Sequence, residues 1–322
     1  MAHPQYAVLE KAADWLAEGR RVWLCTILET WGSSPRPAGS MLAVSDDGRW
    51  AGSVSGGCLE EDLLQRTARG DQPATPVVVD YGISADDQER FRLPCGGRIQ
   101  LLVESLSGDH CDGLRQLLQA LAENRPVSRT VALDSGQVTV EVDASAATGI
   151  QQDEGRIRQV LGPECRLLLV GAGEVAAHVA AIGRRCGFAV TLCEPRETFL
   201  RGWQGGEIPA VTALPDDLVM ASFNDRFSAV LALAHDPRID DMALLAALQS
   251  DCFYVGAMGS KQTSMARRER LLSLGVTETQ LERLHAPIGV AIRSKTPAEI
   301  AVSIIADLVD VRHGLLAGGG AL

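Results

Sequence analysis

The sequence predicts an α/β protein of two domains, a mixed α/β N-terminal domain and a C-terminal domain built on a parallel sheet. Three observations carry this expectation. The chain has 322 residues, more than one small core needs and about right for two domains. From Arg166 onward, apolar strand-like runs alternate with helix-like runs, the order that builds a parallel sheet covered on both faces. Before that point the strand signals are divided mainly by turn clusters and hairpin signals such as Asp46-Asp47-Gly48.

Element by element, an amphipathic helix is expected over Ala7 to Glu18, ended by Gly19. Arg21 to Glu29 is continuously apolar and partly β-branched, a buried strand. A turn cluster from Thr30 to Gly39 leads to a short strand at Met41 to Val44, and Arg49 to Ser53 answers it across the hairpin. Leu59 to Arg69 reads as a helix, and Val77 to Tyr81 and Ile99 to Val103 as strands. Gly113 to Asn124 reads as a helix, and Val127 to Leu133 with Gln137 to Val142 as a hairpin around Asp134-Ser135-Gly136. Ala144 to Val160 is small, polar and weakly patterned, so it is expected to connect the domains. Boundaries follow at 1–105 for the first domain, 106–163 for the connecting segment, 164–314 for the second domain and 315–322 for a flexible glycine-rich tail.

In the second domain, strands are expected at Arg166 to Val170, Phe188 to Cys193, Val211, Val230 to Leu233 and Phe253 to Val255. Helices are expected after the first glycine turn, over Asp240 to Gln249 and over Lys261 to Leu274. The last long helix opens on Thr296-Pro297-Ala298-Glu299, with Thr as N-cap, Pro at N1 and Glu closing a capping box.

Hydrophobic residues make up 46% and charged residues 22%, the balance of a soluble globule. Net charge is −11 and no basic stripe is evident, which sets nucleic-acid binding aside. The first residues lack a basic n-region and an apolar run, so no secretory signal is expected, and no apolar stretch is long enough for a membrane span. Eight cysteines stand at 25, 58, 95, 111, 165, 186, 193 and 252, without a C-x-x-C pair. This argues against structural zinc, iron–sulfur clusters and a disulfide framework, and for a cytoplasmic chain with reduced thiols. Cys25, Cys165, Cys186, Cys193 and Cys252 lie in apolar runs and read as core.

The chemistry concentrates in two glycine–cysteine turns, Ser53-Val54-Ser55-Gly56-Gly57-Cys58 and Pro94-Cys95-Gly96-Gly97. Cys58 opens a predicted helix, whose N-terminus favours a thiolate over a thiol. A soft thiolate beside free backbone N–H groups suits a soft metal or a sulfur-bearing ligand. The alternative is a small apolar residue on a structural turn. Arg36, stiffened between Pro35 and Pro37, suits phosphate, or is an ordinary exposed loop arginine.

In the second domain, Gly171-x-Gly173-x-x-Ala176 follows a strand and opens a helix, the context of a Rossmann dinucleotide fingerprint. Glu194 ends the next strand about 20 residues on, where an acid holds ribose hydroxyls. Pro195 and Arg196 follow it, so the acid has arginine as an alternative partner, and Arg196 has phosphate as one. Met258-Gly259-Ser260-Lys261 is a second strand–turn–helix junction, either an anion site with Lys261 or a structural turn. His285 reads as a capping or core residue and His178 as partly buried packing. No nucleophile elbow, H-E-x-x-H, Walker A loop, His–Asp pair or Lys–Tyr pair is visible.

Together these segments resemble the xanthine dehydrogenase accessory protein family, XdhC/CoxI. The resemblance lies in TWGSSPRPAGSM (30–41), GSVSGGCLEE (52–61), CGGRIQLLV (95–103), LLLVGAGEVA (167–176), Glu194–Arg196, YVGAMGSK (254–261) and HAPIGVAIRSKTPAE (285–299). It implies a family-type N-terminal cofactor domain and a C-terminal Rossmann-like domain. It further implies a chaperone rather than a turnover enzyme: one that binds molybdenum cofactor (molybdopterin), assists its sulfuration with a cysteine desulfurase as donor, and hands it to a molybdenum hydroxylase. A homodimer is implied as well, and a nucleotide stays open as a further ligand. Cys58 is then the residue for the metal or its sulfur, with Cys95 second. Ser55, Gly56, Gly57, Arg36, Gly171, Gly173, Ala176, Glu194, Arg196 and Lys261 join them as cofactor-binding residues. Glu194 stands where the family commonly has Asp, which keeps the charge and lengthens the arm. The competing reading is a nicotinamide-dependent oxidoreductase that uses the Rossmann domain catalytically.

Overall fold

The computed structural model describes residues 4–32, 36–71, 73–82, 98–142 and 148–316. The chain divides into two compact units, Ala2–Pro163 and Glu164–Leu322, with Met1 grouped with the second. The turn around Cys95, the Ser33–Pro35 part of the first turn cluster and the glycine-rich tail lie outside the described residues.

The N-terminal unit opens with helix α1 (Pro4–Ala17). Strands β1 (Val22–Trp31), β2 (Met41–Ser45), β3 (Trp50–Gly52), β4 (Val77–Tyr81) and β5 (Arg98–Leu106) form an antiparallel sheet in the order β3-β2-β1-β5-β4. Helix α2 (Cys58–Arg69) lies between β3 and β4 in sequence, and α3 (Cys111–Ala122) follows β5. The period-two alternation of β1 explains its unbroken apolar run. Val22 and Leu24 pack with Leu9, Leu16 and Leu117 of α1 and α3, while Trp23, Cys25 and Ile27 pack with Leu59 and Leu63 of α2.

The stretch 144–160, expected as a connecting segment, is largely not one. β8 (Gly149–Asp153) and β9 (Arg156–Leu161) form a hairpin and join β6 (Val127–Ala132) and β7 (Val138–Val142) in a four-stranded antiparallel sheet, order β7-β6-β9-β8. Its polar residues hid it: β8 is mostly exposed, so the alternation that marks a half-buried strand is weak there. Glu104 on β5 accepts from Arg129 on β6 through two parallel bonds of 2.7 and 2.8 Å, and both side chains are buried. A fork-to-fork pair of this kind fixes register between the two sheets.

The C-terminal unit is a six-stranded parallel sheet of β10 (Arg166–Val170), β11 (Ala189–Cys193), β12 (Ala210–Val211), β13 (Ser228–Ala232), β14 (Tyr254–Ala257) and β15 (Leu284–His285). Their order is β12-β11-β10-β13-β14-β15, so the connection reverses between β10 and β13. Helices are α4 (Glu174–Arg185), α5 (Glu197–Leu200), α6 (Pro215–Ser222), α7 (Pro237–Leu248), α8 (Lys261–Ser273), α9 (Glu278–Glu282) and α10 (Pro297–Leu316). Leu167 and Leu169 of β10 point into the core under α4 and α10, and Leu168 and Val170 into the core under α7. Each of those leucines is fully buried and contributes about 1.5–3 kcal/mol. The capping box of α10 forms as expected: Glu299 accepts from Thr296 N at 3.0 Å, and Glu299 N donates back to Thr296 Oγ1 at 3.3 Å. Among the described residues no helix is long and apolar enough to cross a membrane.

Candidate functional site

In the N-terminal unit the candidate site is the turn that leads into α2. Cys58 is the first residue of that helix. The turn before it is organised by a residue that sequence reasoning did not single out, Glu60. Its Oε1 accepts from Ser53 Oγ (2.7 Å), Val54 N (2.8 Å), Ser55 N (2.9 Å) and Gly56 N (3.2 Å). Its Oε2 accepts from Gly57 N (2.8 Å) and from Ser55 Oγ. Four consecutive backbone N–H groups thus converge on one buried carboxylate. Gly56 and Gly57, at φ of 86° and 145°, supply the backbone curvature that lets them do so. Burial by itself would raise the Glu60 pKa, but the bonds from Ser55 and Ser53 outweigh it and hold the carboxyl at about 2.

This corrects one premise of the sequence reading. The N–H groups of residues 54–57 are not free beside the thiol, because Glu60 takes all four. Glu60 and Glu61 also place two acids in the first turn of α2, which opposes the helix field that would favour a thiolate. What the turn offers Cys58 is a fixed backbone position. Six other cysteines are free thiols: Cys25, Cys111, Cys165, Cys193 and Cys252 are buried and Cys186 is half-buried. Burial pushes Cys25 up to about 12 and Cys165 and Cys193 up to about 11, so these thiols stay protonated. Cys95 lies outside the described residues. Arg36 belongs to this unit and is exposed. Among the described residues no group of three or more metal-ligating side chains occurs.

In the C-terminal unit a cleft of about 480 Å³ opens where the strand order reverses. It is lined by Ala172 and Gly173 after β10, Arg196 and Phe199 after β11, and Leu233 to Arg238 after β13. This is the position at which open α/β sheets bind ligands. Gly173 precedes α4, and Ala176 is fully buried one turn on, where its small side chain allows the helix to lie close to the sheet. Lys261 begins α8 beyond β14, exposed and outside the lining of this cleft. The N-terminus of α8 is capped by Ser260, whose Oγ accepts from Thr263 N at 3.1 Å.

Glu194 does not present its carboxylate to the cleft. It is fully buried; Oε1 accepts from Arg196 N (2.9 Å) and Nε (2.8 Å), and Oε2 from Ala172 N (3.0 Å) and Arg196 Nη2 (2.8 Å). Burial acts to raise its pKa, and the bonds from Arg196 and Ala172 outweigh that and lower it. Of the two partners the sequence left open for Glu194, ribose and arginine, its carboxylate takes Arg196, and Arg196 and the glycine turn face the cleft. The Arg196 guanidinium lies 3.8 Å over the Phe199 ring. Asp236 caps α7, accepts from Arg238 at 2.8 Å, and stands 3.9 Å from Arg196 Nη1.

The fold also makes a His–Asp pair that the sequence hid. His285 Nδ1 lies 3.0 Å from Asp307 Oδ2, and the Tyr254 hydroxyl donates to the same oxygen at 2.6 Å. The Tyr254 and His285 rings stack with centroids 4.2 Å apart. Asp307 sits within α10, far along the chain from β14, so no local spacing could announce it. Burial first, and the Asp307 bond second, push the Tyr254 hydroxyl upward, so it remains a donor. Asp307→Ala leaves that buried hydroxyl without its acceptor and should cost about 1–3 kcal/mol. A thermal-unfolding midpoint equal to wild type would refute this.

Residues 167–308 match the XdhC Rossmann domain, and residues 15–82 match the XdhC and CoxI family. Over 308 residues the chain is 26% identical to the molybdenum cofactor insertion chaperone PaoD of Escherichia coli K12, an alignment that covers 95% of this chain and 88% of that protein. It is 24% identical over 313 residues to a probable xanthine dehydrogenase component of Bacillus subtilis 168, covering 90% of this chain and 92% of that one. The crystal structure of a xanthine dehydrogenase from Bacillus halodurans has the same fold, with a TM-score of 0.77 at 24% identity over 98% of this chain and 96% of that one.

Proposed function

From the membership of this chain in the XdhC and CoxI family, we propose that it is a carrier of molybdenum cofactor. It holds the cofactor as cargo and hands it to a molybdenum hydroxylase of the xanthine dehydrogenase type. The observation that carries the reading is the turn at 53–57, which Glu60 clamps so that Cys58 begins α2 in a fixed position. A cysteine sulfur is a fitting ligand for molybdenum, and a metal deprotonates the thiol that coordinates it. The chaperone relative, aligned over 95% of this chain, supports the same reading. In this scheme the terminal sulfur of the cofactor comes from a cysteine desulfurase, the carrier works as a homodimer in the cytoplasm, and Cys95 assists Cys58. The cleft of the C-terminal unit holds a nucleotide. Action is stoichiometric, with one cofactor delivered per site.

The test is molybdenum and pterin content of purified wild type and Cys58→Ala, with activation of an apo-hydroxylase by each. Cys58→Ala should keep the wild-type unfolding midpoint and lose most bound molybdenum and most activation; Cys95→Ala should lose less. Unchanged molybdenum in Cys58→Ala would sink the assignment. The competing oxidoreductase reading has the His285–Asp307 pair at 3.0 Å to draw on, although neither residue lines the cleft. Steady NADH consumption that needs His285 would favour it.

A further inference from the structure

We infer that the C-terminal cleft selects a nucleotide carrying a phosphate monoester on its ribose over the same nucleotide with free ribose hydroxyls. The inference rests on the reading of that cleft as a nucleotide site. In sheets of this strand order, an acid at the end of the second strand selects a free ribose by accepting hydrogen bonds from its hydroxyls. That acid needs open lone pairs. A carboxylate offers about four acceptor positions. Glu194 receives four donors: Arg196 N and Nε on one oxygen, Ala172 N and Arg196 Nη2 on the other. With the side chain fully buried, no position remains for a sugar hydroxyl.

What faces the cleft in its place is cationic. Arg196 lines the cleft, spends Nε and Nη2 on Glu194, and keeps Nη1 outside that pair. The Phe199 ring at 3.8 Å supports the plane of the guanidinium. Arg238 lines the same cleft with 89% of its side chain exposed. Guanidinium groups suit phosphate oxygens, and a nearby arginine is the device by which such cleft geometries accept a ribose phosphate. One group opposes the phosphate. Asp236, at 3.9 Å from Arg196 Nη1 and paired with Arg238, puts a carboxylate beside the same space. A phosphate must draw Arg238 away from Asp236, so neutralising Asp236 should strengthen the preference.

Calorimetric titration of the full chain with 5′-AMP, 2′,5′-ADP and 3′,5′-ADP tests this. One bisphosphate should bind at least tenfold tighter than 5′-AMP, and which one does so distinguishes a 2′- from a 3′-phosphate ligand. Arg196→Gln should bring that ratio to within twofold, and Asp236→Asn, which keeps the helix cap, should widen it. Unfolding midpoints and 5′-AMP affinity of each variant separate lost selectivity from lost fold. Should Arg196→Gln prove unstable, Arg238→Gln, with its exposed side chain, should narrow the ratio in its place. Equal binding of all three nucleotides by wild type would overturn the selectivity while leaving the cleft a nucleotide site. No binding of any at millimolar concentration would overturn both. Neither result bears on the molybdenum content that tests the carrier reading.

Discussion

Glu60→Gln should dismantle the turn that positions Cys58 and lower the stability of the N-terminal unit by about 3 kcal/mol at neutral pH. All six groups that contact this carboxylate are donors: four backbone N–H groups and the hydroxyls of Ser53 and Ser55. Glutamine replaces one acceptor oxygen by a donor, so at least one buried N–H or hydroxyl meets another donor. A buried donor left unmade costs about 1–3 kcal/mol. The pH dependence has a definite sign. Glu60 is held at about 2, below its ordinary value of 4.5, so its contribution is fully present above 4.5 and is lost as pH falls toward 2. Urea midpoints of wild type and Glu60→Gln should therefore differ clearly at pH 7 and converge near pH 2. A gap that is absent at pH 7, or that stays constant down to pH 2, would refute the clamp. Bound molybdenum should fall with the turn, although Glu60 itself need not touch the cofactor.

The glycines and cysteine of that turn are legible in the sequence, while the carboxylate that holds them is not. Gly56, Gly57 and Cys58 announce themselves through conformational and chemical rarity. Glu60 is an ordinary helix-opening acid until the chain curls back on it. Glu194 shows the converse. Its position at the end of β11 follows from local pattern alone, but whether its oxygens face a ribose or Arg196 depends on a rotamer two residues away. The alternating strands and helices of the C-terminal unit were readable because parallel strands buried on both faces form continuous apolar runs. The 149–161 hairpin was not, because its first strand is exposed and carries Gln151, Gln152 and Asp153 where an apolar face was sought. Long-range partners such as Asp307 for His285, or Arg129 for Glu104, exist only once strand order is set.

The two glycines of the fingerprint should respond oppositely to the same substitution. Gly171 has φ of +108°, and a Cβ there would sit 2.4 Å from Ala234 Cα and 2.6 Å from Ala234 N. Those atoms belong to the backbone that leaves β13, so the clash cannot be relieved by turning a side chain. Gly171→Val should therefore unfold the C-terminal unit or reduce it to insoluble protein, with a loss beyond the roughly 1–3 kcal/mol of ordinary overpacking. Gly173 has an extended backbone that any residue adopts, at φ of −94°, and its nearest neighbour for a Cβ is Leu233 O at 4.0 Å. The space in front of it is the cleft itself. Gly173→Val should fold, with an unfolding midpoint near wild type, because a side chain there meets solvent rather than protein. It should also occupy the place where a phosphate would approach the backbone, and weaken nucleotide or pterin-phosphate binding at least tenfold. The first outcome reads whether the turn is packed as observed, and the second reads whether the cleft is used. If Gly173→Val binds these ligands as wild type does, the fingerprint serves only to pack α4 on the sheet, and the phosphate must be held by another part of the chain.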